Sequence, residues 1–166
     1  YGVDFMVNVD GDDVFCDPEF IDKTIETFIH TQADYITCKG LPLGTASHGI
    51  KFEALEKICK LKAETDTEIY GGYFTETGLL RVEYLKVEDK DLRHPEIRMT
   101  LDYPEDYEFF KAIFDELYSP TKVFTLKEIL SLLRKKPQII KINKSVQEKY
   151  AEHIQRHAKV KLKKRE

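Results

Sequence analysis

A short apolar stretch that breaks off into Asp10-Gly11-Asp12-Asp13, followed closely by an Asp-Pro helix start, restricts the fold of this chain more than any other feature. Val3 to Val9 reads as a buried strand. Asp17-Pro18 then supplies an N-cap and a first-turn proline: the Asp side chain accepts from an orphan helix N–H, and proline lacks the N–H that would go unpaired there. Ile21, Ile25, Phe28 and Ile29 recur at helical spacing. Asp34 to Cys38 reads as the next strand. A strand, a helix and a strand joined by short connections form the crossover of a parallel sheet. The expected class is therefore α/β, a mostly parallel mixed sheet flanked by helices.

The rest of the chain extends this pattern. Residues Lys39 to Gly49 read as a loop, with glycines at 40, 44 and 49 and a proline at 42. Phe52 to Ala63 reads as a helix with Leu55, Ile58, Cys59 and Leu61 inward, and Leu79 to Val87 as a strand. From Ile97 a short strand reaches Asp102, and Pro104 opens a helix carrying Phe110, Ile113, Phe114 and Leu117 on one face. Thr125-x-x-Glu128 and Ser145-x-x-Glu148 are capping boxes, in which each end of the motif satisfies a free N–H of the other. The predicted division is an α/β domain over 1–143, then a terminal helix and basic tail over 144–166.

Composition excludes several classes. No apolar run approaches the ~18 residues that span a bilayer. Cys16, Cys38 and Cys59 are far apart and form no C-x-x-C pair, so neither a zinc ribbon nor a redox motif is present. Cys38 and Cys59 read as small core residues, and a reducing, cytoplasmic setting is expected. His153 and His157 are four apart, with no H-E-x-x-H and no third ligand nearby to suggest zinc. The last eleven residues hold six Lys or Arg against Glu166, which leaves −9 of the overall −4 on the remainder. No aromatics interleave those charges as single-strand nucleic acid binding requires, so the tail reads as a solvated, fraying end and nucleic acid is not an expected partner.

The chemistry lies in two acidic segments. Asp12 follows the first strand, and Asp102-Tyr103-Pro104-Glu105-Asp106 follows the strand that starts at Ile97. Ligands of open α/β sheets bind outside the carboxyl ends of parallel strands. Two carboxylates delivered there by distant segments can share a hard cation, and magnesium held that way usually also holds substrate phosphates. Each segment alone has a structural explanation. Asp-Gly is common in turns, and an Asp before a proline-opened helix can simply cap it, with Asp106 supporting the first turn through the helix dipole.

Taken together, the two segments resemble a known family. Val9-Asp10-Gly11-Asp12-Asp13-Val14-Phe15-Cys16-Asp17-Pro18 resembles the central motif of the cytidylyltransferases that activate acidic sugars, the CMP-Kdo and CMP-sialic acid synthetases and the related spore-coat polysaccharide biosynthesis proteins. Leu101-Asp102-Tyr103-Pro104-Glu105-Asp106-Tyr107-Glu108 resembles their later D-x-P-E-D-x-E segment, and Phe52-Glu53-Ala54-Leu55-Glu56-Lys57 a helix of the spore-coat group. The resemblance runs from Val3 to about Asn143. It implies a nucleotide-diphospho-sugar transferase-like, Rossmann-like fold, with Asp12 and Asp102 as catalytic residues holding Mg2+ and with CTP and a sugar acid as substrates. It places Lys39, Gly44 and His48 in the substrate loop. It makes 70–95 an excursion that builds a homodimer, with Tyr70, Tyr73, Phe74 and Tyr84 as interface aromatics, the competing account being that these fold over the monomer's own core.

Two departures stand out. Asp10 occupies a position where the family usually has an uncharged polar residue, and Val14 replaces a common proline. The family's nucleotide-holding glycine- and arginine-bearing loop is expected upstream of Tyr1, so these residues correspond to the later two-thirds of such an enzyme and should bind CTP poorly alone. Two other readings stay open: a metal-dependent glycosyltransferase on the same scaffold, suggested by Asp10-x-Asp12, and a non-catalytic binding or dimerisation module.

Overall fold

The computed structural model describes residues 2–163 apart from 66 and 68, and of Glu148 only the backbone. Four strands, β1 (Phe5–Asn8), β2 (Tyr35–Cys38), β3 (His48–Lys51) and β4 (Val82–Leu85), form one sheet in the order β1-β3-β2-β4. Among the described residues six α-helices accompany it: α1 (Pro18–Thr31), α2 (Phe52–Leu61), α3 (Gly71–Thr75), α4 (Pro104–Leu117), α5 (Leu126–Lys135) and α6 (Lys144–His157). β2 pairs parallel with β4, and β3 runs antiparallel between β1 and β2. Three strands thus share one direction, as expected of a mostly parallel mixed sheet. However, β1 and β2 are not neighbours, because β3 inserts between them.

The first half of that third strand, His48-Gly49, was expected to be loop. It carries glycine in place of a strand former, and the glycine is there for a packing reason. A Cβ on Gly49 would come within 2.6 Å of the Phe5 ring and 2.7 Å of the Thr24 methyl. Gly49 is what lets α1 settle onto the sheet, with Phe28 stacked on Phe5 at 3.8 Å. The same contact sets the helix face. Phe20 and Thr24 are buried, whereas Ile25 and Ile29 of the expected stripe are exposed. Thr24 Oγ1 donates to the Phe20 carbonyl at 2.7 Å and lies 3.1 Å from Ser47 Oγ, so its hydroxyl is satisfied inside the core.

β2 is the buried centre of the sheet, and its alternation feeds two cores. Ile36 joins Phe20, Phe109, Ile113, Leu130 and Leu133 beneath α1, α4 and α5. Tyr35 turns to the other face with Ile50, Ala54, Ile58, Tyr73 and Phe74, under α2 and α3. Asp17 caps α1 by accepting from the Glu19 N–H, and the Thr125–Glu128 capping box closes the start of α5. Cys59 is exposed, not a core residue, and Cys38 is half-buried. Among the described residues no helix is long and apolar enough to cross a membrane.

Three other expectations change. The 70–95 segment is not an excursion from the sheet: β4 pairs with β2 in register Tyr35↔Val82 to Cys38↔Leu85. Tyr73 and Phe74 are each 2% exposed, and Phe74 stacks on Tyr35 at 4.6 Å, so these aromatics cover the monomer's own core. Tyr84 is the exception; it is exposed, with the Lys39 ammonium 4.0 Å above its ring. The tail does not fray over its described residues. Val160 packs against the second core, the Ala63 N–H donates to the Lys161 carbonyl and the Lys163 N–H to the Leu61 carbonyl. Finally, α6 begins at Lys144 with Asn143 as N-cap residue, which puts Ser145 inside the helix; the Glu148 half of the expected box lies outside the described side chains.

Burial of Phe74 makes a testable distinction. Phe74→Glu would force a charge into the core and should destabilise the fold by at least about 3 kcal/mol in urea unfolding. Tyr84→Glu should cost no more than about 1 kcal/mol, the worth of an exposed cation–π contact. A well-folded Phe74→Glu monomer would instead identify Phe74 as an interface residue.

Candidate functional site

The sheet brings the two acidic segments together at one end. Asn8, the last residue of β1, pairs with His48, the first of β3, so the Asp10–Asp13 turn and His48 emerge at the same edge as the carboxyl end of β2. The 97–102 segment is not a strand of the sheet; it makes a single parallel bridge, Arg98 to Leu43. Backbone bonds nonetheless stitch it in place. The Leu43 N–H donates to the Ile97 carbonyl, the Met99 N–H to the Leu43 carbonyl, and the Leu101 N–H to the Asp12 carbonyl at 3.1 Å. The last of these fixes Asp102 beside Asp12.

Side chains complete the junction. Thr100 Oγ1 lies 3.0 Å from Asp12 Oδ2 and 3.4 Å from Asp102 Oδ2, which ties the two carboxylates to one hydroxyl. Arg98 Nη2 is ion-paired to Asp102 Oδ2. Asn8 Nδ2 donates to Asp10 Oδ1 at 2.9 Å and to the Tyr70 hydroxyl at 2.8 Å. Around these groups is a cavity of 340 Å3, lined by Asp10, Asp12, Asp13, Asp102, Gly44 and His48, with Tyr150 and His153 contributed by α6. A larger groove of 970 Å3 opens between the start of α1 and the α4–α5 connection, but its walls include Phe15, Val87 and Phe124 and none of the sequence-predicted site residues.

Of the predicted residues, Asp12, Asp102, Gly44 and His48 therefore meet in one cavity. Lys39 does not line it and sits over Tyr84 instead. Gly11 has open space where a Cβ would stand, whereas Gly44 is required. Gly44 has φ +84°, and its Cβ would fall 2.2 Å from the Met99 carbonyl oxygen and 2.8 Å from Asp13 Oδ1. The loop thus seats directly on the 97–102 segment.

Asp106 is also more than a helix-start residue. It is fully buried, accepts from Arg98 Nε and Nη2, from Asn143 Nδ2 at 2.9 Å, and from the backbone N–H of Asp102 and Tyr103. Sequence reasoning assigned no role to Arg98, Thr100, Asn143 or Tyr150. A signal existed: Arg98, Thr100 and Asp102 alternate, so an extended segment would present all three on one side.

The electrostatics are those of a site short of positive charge. Burial, then the charges of Asp12 and Asp10, push Asp13 up to about 7. Burial also raises Asp102 above the usual carboxylate range, with Asp12 adding to the rise and Arg98 opposing it. Asp106 is held below the usual range, since the Arg98 and Asn143 bonds outweigh its burial. Burial lowers His48, so its ring is neutral at pH 7. Two hydroxyls, Tyr35 and Thr37, each lie 3.1 Å from its Nδ1, which fits an acceptor nitrogen with the proton on Nε2. Among the described residues, no three His, Cys, Asp or Glu side chains are grouped to hold a metal alone. Asp12 and Asp102 fit the other common arrangement, in which magnesium takes one or two carboxylates and fills its shell with water and phosphate oxygens.

No family model matches the chain. It is 31% identical over 154 residues to an uncharacterized protein of Methanocaldococcus jannaschii, covering 90% of the chain and 61% of that protein. It is 28% identical over 137 residues to the spore coat polysaccharide biosynthesis protein SpsF of Bacillus subtilis, covering 80% of the chain and 55% of SpsF. Its fold superposes on a cytidylyltransferase from Leptospira borgpetersenii with a TM-score of 0.70, at 22% identity and over 84% of this chain and 60% of that one. The chain is similar in sequence to SpsF and has the fold of a cytidylyltransferase. This bears out the resemblance carried by the two acidic motifs. The chain spans little more than half the length of each of these proteins.

Asp13 gives a pH test of the site. Its folded pKa lies above the ordinary 3.8, so the protonated form favours folding. That contribution is complete below about pH 4 and is lost as pH rises through about 7. Asp13→Asn mimics the protonated form. In metal-free buffer it should melt a few degrees above the unsubstituted protein near pH 8, with the gap closing towards pH 4. Equal melting temperatures throughout would mean that Asp13 ionises normally.

Proposed function

We propose that this chain is part of a nucleotidyltransferase that moves CMP from CTP to an acidic sugar in surface polysaccharide biosynthesis. The observation that carries the proposal is the joining of Asp12 and Asp102 through Thr100 at the carboxyl-end edge of the sheet, inside a cavity. The polysaccharide role and the acidity of the sugar rest on the likeness to SpsF and on the motif resemblance. Where exposed Tyr84 remains available, a homodimer is part of the same proposal.

In the proposed reaction a sugar oxygen attacks the α-phosphate of CTP and pyrophosphate leaves. Asp12 and Asp102 would hold Mg2+, which when bound polarises the phosphate and offsets the charge that builds on it. The protein's own work is positioning. Thr100 sets the spacing of the two carboxylates, and neither needs to act as a general base. Gly44 keeps the loop backbone against the Met99 carbonyl and so keeps the cavity open at Asp13. Neutral His48 can offer Nε2–H to a sugar hydroxyl without bringing a charge that burial would penalise.

Asp12→Asn and Asp102→Asn in the full-length protein should each lower Mg2+-dependent CTP turnover on the order of 100-fold or more while leaving the melting temperature little changed. Turnover would be measured as pyrophosphate release with varied Mg2+, beside hydrolysis of UDP- and GDP-sugars. Full activity in both variants would remove these residues from the site. Hydrolysis of a nucleotide-sugar in place of CTP consumption would favour the glycosyltransferase reading.

A further inference from the structure

Arg98 is the largest fully buried side chain, and its surroundings are more elaborate than a structural ion pair needs. Asp106 alone neutralises it: Nε lies 3.0 Å from Asp106 Oδ1 and Nη2 2.9 Å from Oδ2, the two-point arrangement that suits a guanidinium. Rings close over it, with Tyr150 centred 4.4 Å and Tyr103 5.5 Å from the guanidinium carbon. Asp102 is then a second carboxylate on a cation that already has one, and it binds at a single point, through Oδ2 to Nη2. Nη1 is left buried with no hydrogen-bond partner among the described residues. An orphan buried donor costs about 1–3 kcal/mol. A fork-to-fork contact with Asp102 would remove that cost, but it would turn the Asp102 carboxylate along the guanidinium edge. The observed contact leaves it directed to Thr100 and Asp12.

We propose that Arg98 is a positioning residue for Asp102: anchored by Asp106 and clamped by Tyr150, its Nη2 fixes which way the Asp102 carboxylate faces, towards Asp12 and the cavity. This rests on the reading of Asp12 and Asp102 as a shared cation site. It also gives α6 a part in that site. Tyr150 both covers the guanidinium and lines the cavity, so the helix shields from water the cation that is paired to Asp102. Lysine cannot replace arginine in such a role, because an ammonium is a point charge without the planar fork that serves Asp106 and Asp102 together.

The test uses the full-length protein and the variants Arg98→Lys and Tyr150→Leu. Both keep the positive charge beside Asp102, so a change in metal affinity reports geometry and not a lost repulsion. Mn2+ binding in the presence of CTP, read from the electron paramagnetic resonance signal of free Mn2+, should weaken about 10-fold in each, the usual loss when a partner of a metal ligand is removed. In turnover the Mg2+ needed for half activation should rise by a similar factor, with kcat at saturating Mg2+ falling less than that constant rises. A role confined to folding would lower the melting temperature and the active fraction but leave Mn2+ affinity where it was. Unchanged Mn2+ affinity in a folded Arg98→Lys variant overturns the proposal; if that variant does not fold, unchanged affinity in Tyr150→Leu does so. Asp12→Asn separates the two levels: if it too binds Mn2+ as the parent does, the shared site itself is wrong.

Discussion

The Arg98–Asp106 pair is the interaction on which the functional end of the molecule is assembled. Both side chains are withdrawn from water, at 2% and 0% exposure, and neither would be tolerated alone there. Such a pair is weak evidence for net stability, because the desolvation of two ions offsets most of their attraction, yet removing one partner costs about 3–5 kcal/mol by stranding the other. What the pair does is locate things. Asp106 gathers the start of α4, through the N–H groups of Asp102 and Tyr103, and the Asn143 side chain ahead of α6. Arg98 sits in the segment that bridges Leu43 and donates to the Asp12 turn. Four distant parts of the chain are thereby referred to one buried charge.

Around that anchor, negative charge is deliberately concentrated. Asp10, Asp12, Asp13 and Asp102 face one cavity, and the response is visible in Asp13, driven to about 7, and in Asp102, driven upward despite Arg98. A protein that needed only stability would place fewer carboxylates there. In the proposed reaction magnesium with a triphosphate would supply what the arrangement lacks, the metal taking the carboxylates and the phosphates completing its shell. The fold is shared with a cytidylyltransferase and the sequence is similar to SpsF, and the proposed CMP transfer rests on both likenesses.

How much of this was legible in the sequence depended on how local the physics was. Caps and turns are decided by neighbours in the chain, so Asp17-Pro18, Pro104 and Thr125–Glu128 marked their helix starts correctly. β3 was not legible, because Ile50 is the lone strong strand former in His48-Gly49-Ile50-Lys51, and the strand owes its place to Phe5 and Thr24 pressing on Gly49. The inward face of α1 was misread for the same reason: Ile25 and Ile29 fit the period, but the sheet selected Phe20 and Thr24. Asp12 and Asp102 were singled out by their place after two apolar stretches and by motifs that resemble a family, and the structure brings them into one cavity. Arg98 lies just ahead of that second motif, yet its burial and its partners in α4 and α6 are tertiary facts that no local pattern contains.

The central claim is that two acidic segments nearly ninety residues apart act as one site. A double-mutant cycle on Asp12→Asn and Asp102→Asn, read as Mg2+-dependent CTP turnover by the full-length protein, tests it most directly. Residues that act as a unit are strongly non-additive. The account predicts that the double variant is about as impaired as the worse single variant. Independent, multiplicative losses would show two carboxylates that do not share a cation, and would contradict it.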